Sequence, residues 1–143
     1  MSTLHDTNFY LWTQQQAVLL RTGDIAALDI DNIIEEIEDM GISNRRALSS
    51  HFIILLAHLL KWEFQPEHRC SSWRGSIVEQ RVQIEDLLEH EPSLKTNIAE
   101  IIDRIYPKAL KIASKETGIA INKFPKTSPY QREQIMDDDF WPK

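Results

Sequence analysis

The chain has 143 residues, 42% hydrophobic and 27% charged, with 22 acidic and 16 basic residues giving a formal net charge of −6. That length suits one domain with a real core, and the composition excludes wholesale disorder. The acidic excess disfavours general binding to phosphate backbones, and the single cysteine, Cys70, excludes an intrachain disulfide or a cysteine-rich zinc site.

The opening MSTLHDTNFYLW lacks the basic-then-apolar pattern of a secretion signal. The longest apolar stretch, Phe52 to Leu60, is interrupted by His58 and falls far short of the roughly 20 residues a membrane span needs. The expectation is a cytoplasmic protein of a reducing compartment, without membrane association. Four glycines and six prolines lie mostly between periodic segments, which implies long regular elements with short joints.

In chain order, Asp6 is a candidate N-cap for a first helix, with Phe9, Trp12, Leu19 and Leu20 at helical spacing and Gly23 as its stop. A second helix opens near Asp29, with Ile30, Ile33, Ile34, Ile37 and Met40 on one face. Its other face carries Asp31, Glu35, Glu36, Glu38 and Asp39, and Gly41 marks a break or bend. Ser43 can cap a third helix running to about Phe64, apolar around most of its circumference and therefore central.

The polar joint QPEHRCSS at 65–72 contains the breaker Pro66, and Ser72 can cap a fourth helix through about Glu89. Its inner stripe is Trp73, Ile77, Ile84, Leu87 and Leu88. A fifth helix follows Pro92-Ser93, with Leu94, Ile98, Ile101, Ile102, Ile105, Ala109 and Ile112 as its stripe and Gly118 as its end. Pro107 inside it predicts a kink or split near Tyr106.

In the tail, Ser128, Pro129 and Gln131 make a start signal for a short helix, while Phe124, Phe140 and Trp141 are candidate anchors to the body. No strand-like alternation or internal repeat is visible. The pattern predicts an all-α fold: a single-domain helical bundle over 1–143, with about five main helices around a central buried helix at about 43–64. A C-terminal tail at about 119–143, with its short helix, is expected to pack on the body. Trp62 and Trp73, flanking the polar joint, are expected to be well buried.

Several segments carry a family resemblance: LDIDNIIEEIEDMG at 28–41, LLAHLLKWEFQPEHRCSSWRGSIVEQRVQIEDLL at 55–88, PSL at 92–94, ETG at 116–118, FP at 124–125 and the terminal DDDFWP. Together they make the chain resemble, over nearly its whole length, a bacterial family catalogued as domain of unknown function 29. The resemblance implies an all-helical fold and carries no activity with it.

Four constellations are candidates for chemistry. The first is the polar group Gln65, Arg69, Trp73, Arg74, Gln80 and Arg81, joined by Lys61 and Trp62. Its guanidiniums could grip an anionic ligand, because their planar fork matches carboxylate or phosphate oxygens. In the structural reading, Gln80 and Arg81 instead pair with Asn32 and the carboxylates of the second helix. The next is the acidic face of that helix with His51 and His58, a carboxylate and histidine metal site only if distant side chains converge. Two turns separate the histidines by roughly 10 Å, too far to chelate one ion unaided.

Cys70, near His68 and before a helix start, has no identifiable third partner and reads as an incidental loop cysteine. Finally, Arg104, Lys108, Lys111 and Lys115 line one side of the fifth helix, as a solvated face or as a complement to the acidic helix within the molecule or on a partner. Nucleic acid is disfavoured for want of a recognition motif. The leading expectation is a non-enzymatic helical module that binds another protein or itself. The rivals are a small-anion-binding protein or enzyme using the Arg/Gln/Trp group, and a carboxylate and histidine metal site. No motif implies a cofactor.

Overall fold

The structure, a computed structural model, describes residues 3–143. Their regular elements are all helical: α1 (Leu4–Thr7), α2 (Phe9–Thr22), α3 (Ile30–Phe64), α4 (Ser71–His90), α5 (Ile98–Thr117) and α6 (Arg132–Met136). Short 3-10 turns occupy the joints at Ile25–Ala27, Pro66–His68, Pro92–Asn97 and Ile121–Lys123. No strand occurs among the described residues, so the all-α expectation holds. The chain forms two compact units, Met1–Ser43 and Asn44–Lys143, and α3 supplies residues to both.

Several element boundaries differ from those the sequence suggests. The second and third expected helices are one, because Gly41 keeps helical backbone in the interior of α3. A helical glycine costs only about 1 kcal/mol relative to alanine, less than a long helix can absorb. Pro107 does not split α5 either. The carbonyl that loses its donor belongs to Asp103, four residues earlier and exposed, so water can serve it. Asn8, not Asp6, caps α2, its side chain accepting from the Leu11 amide at 3.3 Å, while Asp6 folds back onto the Thr3 amide. α4 starts at Ser71, one residue before the expected cap Ser72. Ser128 closes a local turn, its Oγ accepting from the Tyr130 amide at 3.2 Å, and the short helix starts only at Arg132.

In the second unit the later part of α3 is the core, as its all-round apolar pattern requires. Leu48, Phe52, Leu55, Leu56, Leu59 and Leu60 are fully buried, against Ile77 and Ile84 of α4 and Ile105 and Ala109 of α5. The tail packs on this core through Phe124, Tyr130 and Ile135, with Phe140 and Trp141 partly covered. Two phenols fasten it: Tyr130 donates to the Leu59 carbonyl at 3.1 Å and Tyr106 to the Pro125 carbonyl at 2.7 Å. Burial raises both hydroxyl pKa values, that of Tyr106 to about 12, so both remain donors. Trp62 is buried as expected, but Trp73 is only half-buried, because one face of α4 near its start is open.

The first unit is built differently. Among its described residues only Trp12 and Gln16 are buried. Polar bonds replace an apolar core: Trp12 Nε1 donates to Asp29 at 3.0 Å, and the Asp29 amide donates to Gln16 Oε1 at 2.8 Å. His5 stacks edge-on against Phe9 and Trp12, with ring centroids 5.5 and 4.6 Å away.

Candidate functional site

The structure brings most of the predicted Arg/Gln/Trp residues into one region of the second unit, but around the chain's own C-terminal segment. Arg81 is buried on α4 and donates through Nε to the Ile135 carbonyl at 2.9 Å and through Nη2 to the Phe140 carbonyl at 2.9 Å. A longer bond, 3.3 Å, reaches the Gln134 carbonyl. Arg69 donates to the carbonyls of Trp62 at 2.8 Å and Pro142 at 3.4 Å. Trp62 and Trp141 pack with ring centroids 4.9 Å apart, and the guanidinium of Arg74 lies 5.7 and 5.9 Å from the two rings. Cations over aromatic faces add to such packing.

The remaining members lie outside this clasp. Gln65 donates to the Thr117 carbonyl at 3.3 Å, and Trp73 sits under Lys61, whose ammonium pairs with Glu116 at 2.6 Å. Gln80 pairs with His51 Nδ1 at 2.6 Å. Asn32 donates to Asp29 Oδ2 at 2.7 Å. Arg81 serves the tail, whose main-chain carbonyls left no signature in the sequence.

Beside the clasp is a cavity of about 240 Å³ lined by Leu55, Arg81, Ile84, Glu85, Met136 and Asp138. Arg81 Nη1 is buried and has no hydrogen-bond partner among the described residues. Desolvation lowers the Arg81 pKa, against the opposing charges of Asp138 and Asp137. With two carboxylates against one guanidinium, the lining disfavours an anion.

The other constellations stay apart. Among the described residues no three His, Cys, Asp or Glu side chains converge as metal ligands. His58 Nδ1 is occupied by the Ile54 carbonyl at 2.8 Å, and Cys70 is an exposed free thiol. Arg104, Lys108, Lys111 and Lys115 are exposed on α5, where Arg104 donates to Ser49 Oγ at 2.8 Å.

The feature that sequence reading undervalued is the open apolar surface of the first unit. Fifteen large apolar side chains are exposed among the described residues, and eleven of them fall between Phe9 and Ile42. On α3, Ile34 is 48% exposed, Ile37 63% and Met40 68%. At about 3.6 residues per turn, Ile30, Ile34, Ile37 and Gly41 fall in one narrow arc, bordered on one side by Asp31 and Glu38. On α2 the outward Val18 and Leu19 line a shallow groove with Gln14 and Gln15. The apolar period was visible in the sequence. What it could not reveal is that these side chains stand exposed.

Charge is divided unevenly as well. Residues 1–43 contain eight acidic side chains and one basic, Arg21, a net charge of −7; residues 44–143 carry +1. Glu36 is paired with His5 Nε2 at 2.7 Å. Asp31, Glu35, Glu38 and Asp39 have no ion-pair partner among the described residues.

No helix among the described residues is long and apolar enough to cross a membrane. A family model described as "Domain of unknown function DUF29" matches residues 4–141. No curated protein and no solved structure matches the chain.

Proposed function

We propose that this chain, which belongs to the DUF29 family, is a non-enzymatic module that docks another protein helix on its first unit. One observation carries the reading: the described part of that unit buries a single apolar side chain, Trp12, and exposes eleven large ones. Exposed apolar surface concentrated in this way marks interaction sites, since water contact with it is unfavourable by roughly 25 cal/mol per Å². A stripe at helical spacing on α3 suits a partner helix laid along it. The proposed setting is the bacterial cytoplasm, which the lone exposed thiol of Cys70 suits.

The test is site-specific photo-crosslinking in the producing cell, with the crosslinker at Ile37 and, as a control, at exposed Lys111. A discrete crosslinked protein from position 37 alone is expected. Uncrosslinked chain from both positions would remove the reading.

A second reading rests on the partnerless Arg81 Nη1 beside the cavity: a small neutral or cationic polar ligand that accepts from Arg81 and donates to Glu85 or Asp138. Thermal-shift screening addresses it, because a ligand held only by the folded state raises the melting temperature.

A further inference from the structure

We infer that the helix received by the α3 stripe is a basic amphipathic one from a different protein, with apolar residues along one face and Lys or Arg beside them. This rests on the docking reading above and adds the partner's chemistry. The isoleucine stripe requires an apolar face at matching helical spacing, and its border sets the charge. Asp31 and Glu38 flank it, both exposed and both without an ion-pair partner among the described residues. Glu36, farther round the helix, is already taken by His5. A basic side chain beside the partner's apolar face would meet acids that no described residue pairs with.

The same charges argue against a second copy as occupant. A contact of two first units would bring together surfaces of −7 each, with Arg21 the one basic residue to offset them. Like charges juxtaposed across an interface oppose association. Docking the basic stripe of α5 from another copy fares no better. Among the described residues α5 exposes no large apolar side chain, so Arg104, Lys108, Lys111 and Lys115 bring nothing to cover the isoleucines. An anionic lipid surface is repelled by the acidic border.

The experiment uses the full chain and three synthetic amphipathic peptides of about 20 residues, long enough to form helix on binding. They share one apolar face and differ only in carrying Lys, Gln or Glu along its borders. Binding is read by fluorescence anisotropy at low and high salt, and self-association by light scattering. The Lys peptide is expected to bind at least about tenfold tighter than the Gln peptide at low salt, with the gap narrowing as salt screens it. Asp31→Asn with Glu38→Gln should close that gap, and Ile34→Asp with Ile37→Asp should abolish binding of every peptide. These positions are exposed, so the variants should keep the wild-type circular dichroism.

Equal binding of the three peptides, lost in the isoleucine variant, would overturn the inferred partner while leaving the docking reading intact. Self-association that Ile34→Asp with Ile37→Asp removes would replace the foreign helix by a second copy. A monomer that binds none of the peptides would overturn the basic-helix partner, and a crosslink at Ile37 would then still decide the docking reading separately.

Discussion

The indole nitrogen of Trp12 donates to Asp29 at 3.0 Å, which ties the one apolar side chain buried among the described residues of the first unit to the residue that opens α3. The same carboxylate oxygen accepts from Asn32 Nδ2 at 2.7 Å, and the Asp29 carbonyl receives the Ile33 amide at 3.0 Å. Bonds to the ionised form, from Asn32 first and then Trp12, hold the Asp29 pKa below its ordinary value. Asp29→Ala leaves a buried donor and a helix start without their acceptor. Amide exchange through α2 and early α3 should quicken while exchange around Leu56 stays slow. Asp29→Asn, which keeps an oxygen for Trp12, should lose less.

His5 links α1 to α3 through Glu36, and that bond, ahead of desolvation, raises the His5 pKa above 6.5. A raised pKa means the folded state holds the proton more firmly than the unfolded chain. The stabilisation is therefore complete below 6.5 and disappears as pH climbs through the raised folded-state value. Asp29 acts from the other side: its contribution is present above 3.8 and is lost as pH falls through its lowered value. The first unit should be firmest in the mildly acidic window between these limits. NMR titration of the imidazole checks this, and His5→Gln should flatten the alkaline limb of the stability profile. A His5 that titrates at or below 6.5 would contradict the pairing. His58 should move the opposite way, because burial is the first cause acting on it.

Arg81 is 3% exposed and donates to three carbonyls of the C-terminal segment. Hydrogen bonds from a charged donor contribute about 1.5–3 kcal/mol each, and truncation strands buried acceptors. Arg81→Ala should therefore cost roughly 3 kcal/mol or more and expose the segment after Asp137 to proteases. Arg81→Lys should recover little, since an ammonium cannot reproduce the planar fork that reaches Ile135 and Phe140 together. A resistant tail in Arg81→Ala would mean that Tyr130 and Trp141 hold it without the guanidinium.

Much of this fold could be read from apolar spacing. The encircling apolar pattern around Leu56 announced a central helix, and Phe124, Phe140 and Trp141 announced a docked tail. Gly41 and Pro107 end neither helix, because α3 absorbs the small cost of a glycine and the carbonyl that Pro107 leaves without a donor meets water. The arginine cluster was visible as a cluster, but the acceptors of Arg81 are main-chain carbonyls more than fifty residues away, and backbone oxygens are the same in every sequence. The exposed stripe at Ile34 and Ile37 was legible only as a periodic face. Periodicity reports that a face wants cover, and only the packed structure reports whether this chain supplies it.

Gly41 and Gly118 make a matched pair with opposite expected signs. Gly41 lies inside α3 at ordinary helical φ, with no atom within 4 Å of where a Cβ would stand. Alanine there reduces the conformational freedom of the unfolded chain and meets no clash, so Gly41→Ala should stabilise by about 0.5–1 kcal/mol. Gly118 also has open space around it, but it ends α5 at φ 76°, with its amide bonded to the Ser114 carbonyl. A Cβ in that left-handed conformation costs roughly 1–2 kcal/mol, so Gly118→Ala should destabilise although nothing touches it. Chemical denaturation of both variants measures the difference. Because Gly41 falls within the arc of Ile34 and Ile37, its alanine would also extend the apolar stripe by one methyl group without weakening peptide binding. A destabilised Gly41→Ala would show that the helix is interrupted at that point, which would confine the docking stripe to the turns before Gly41.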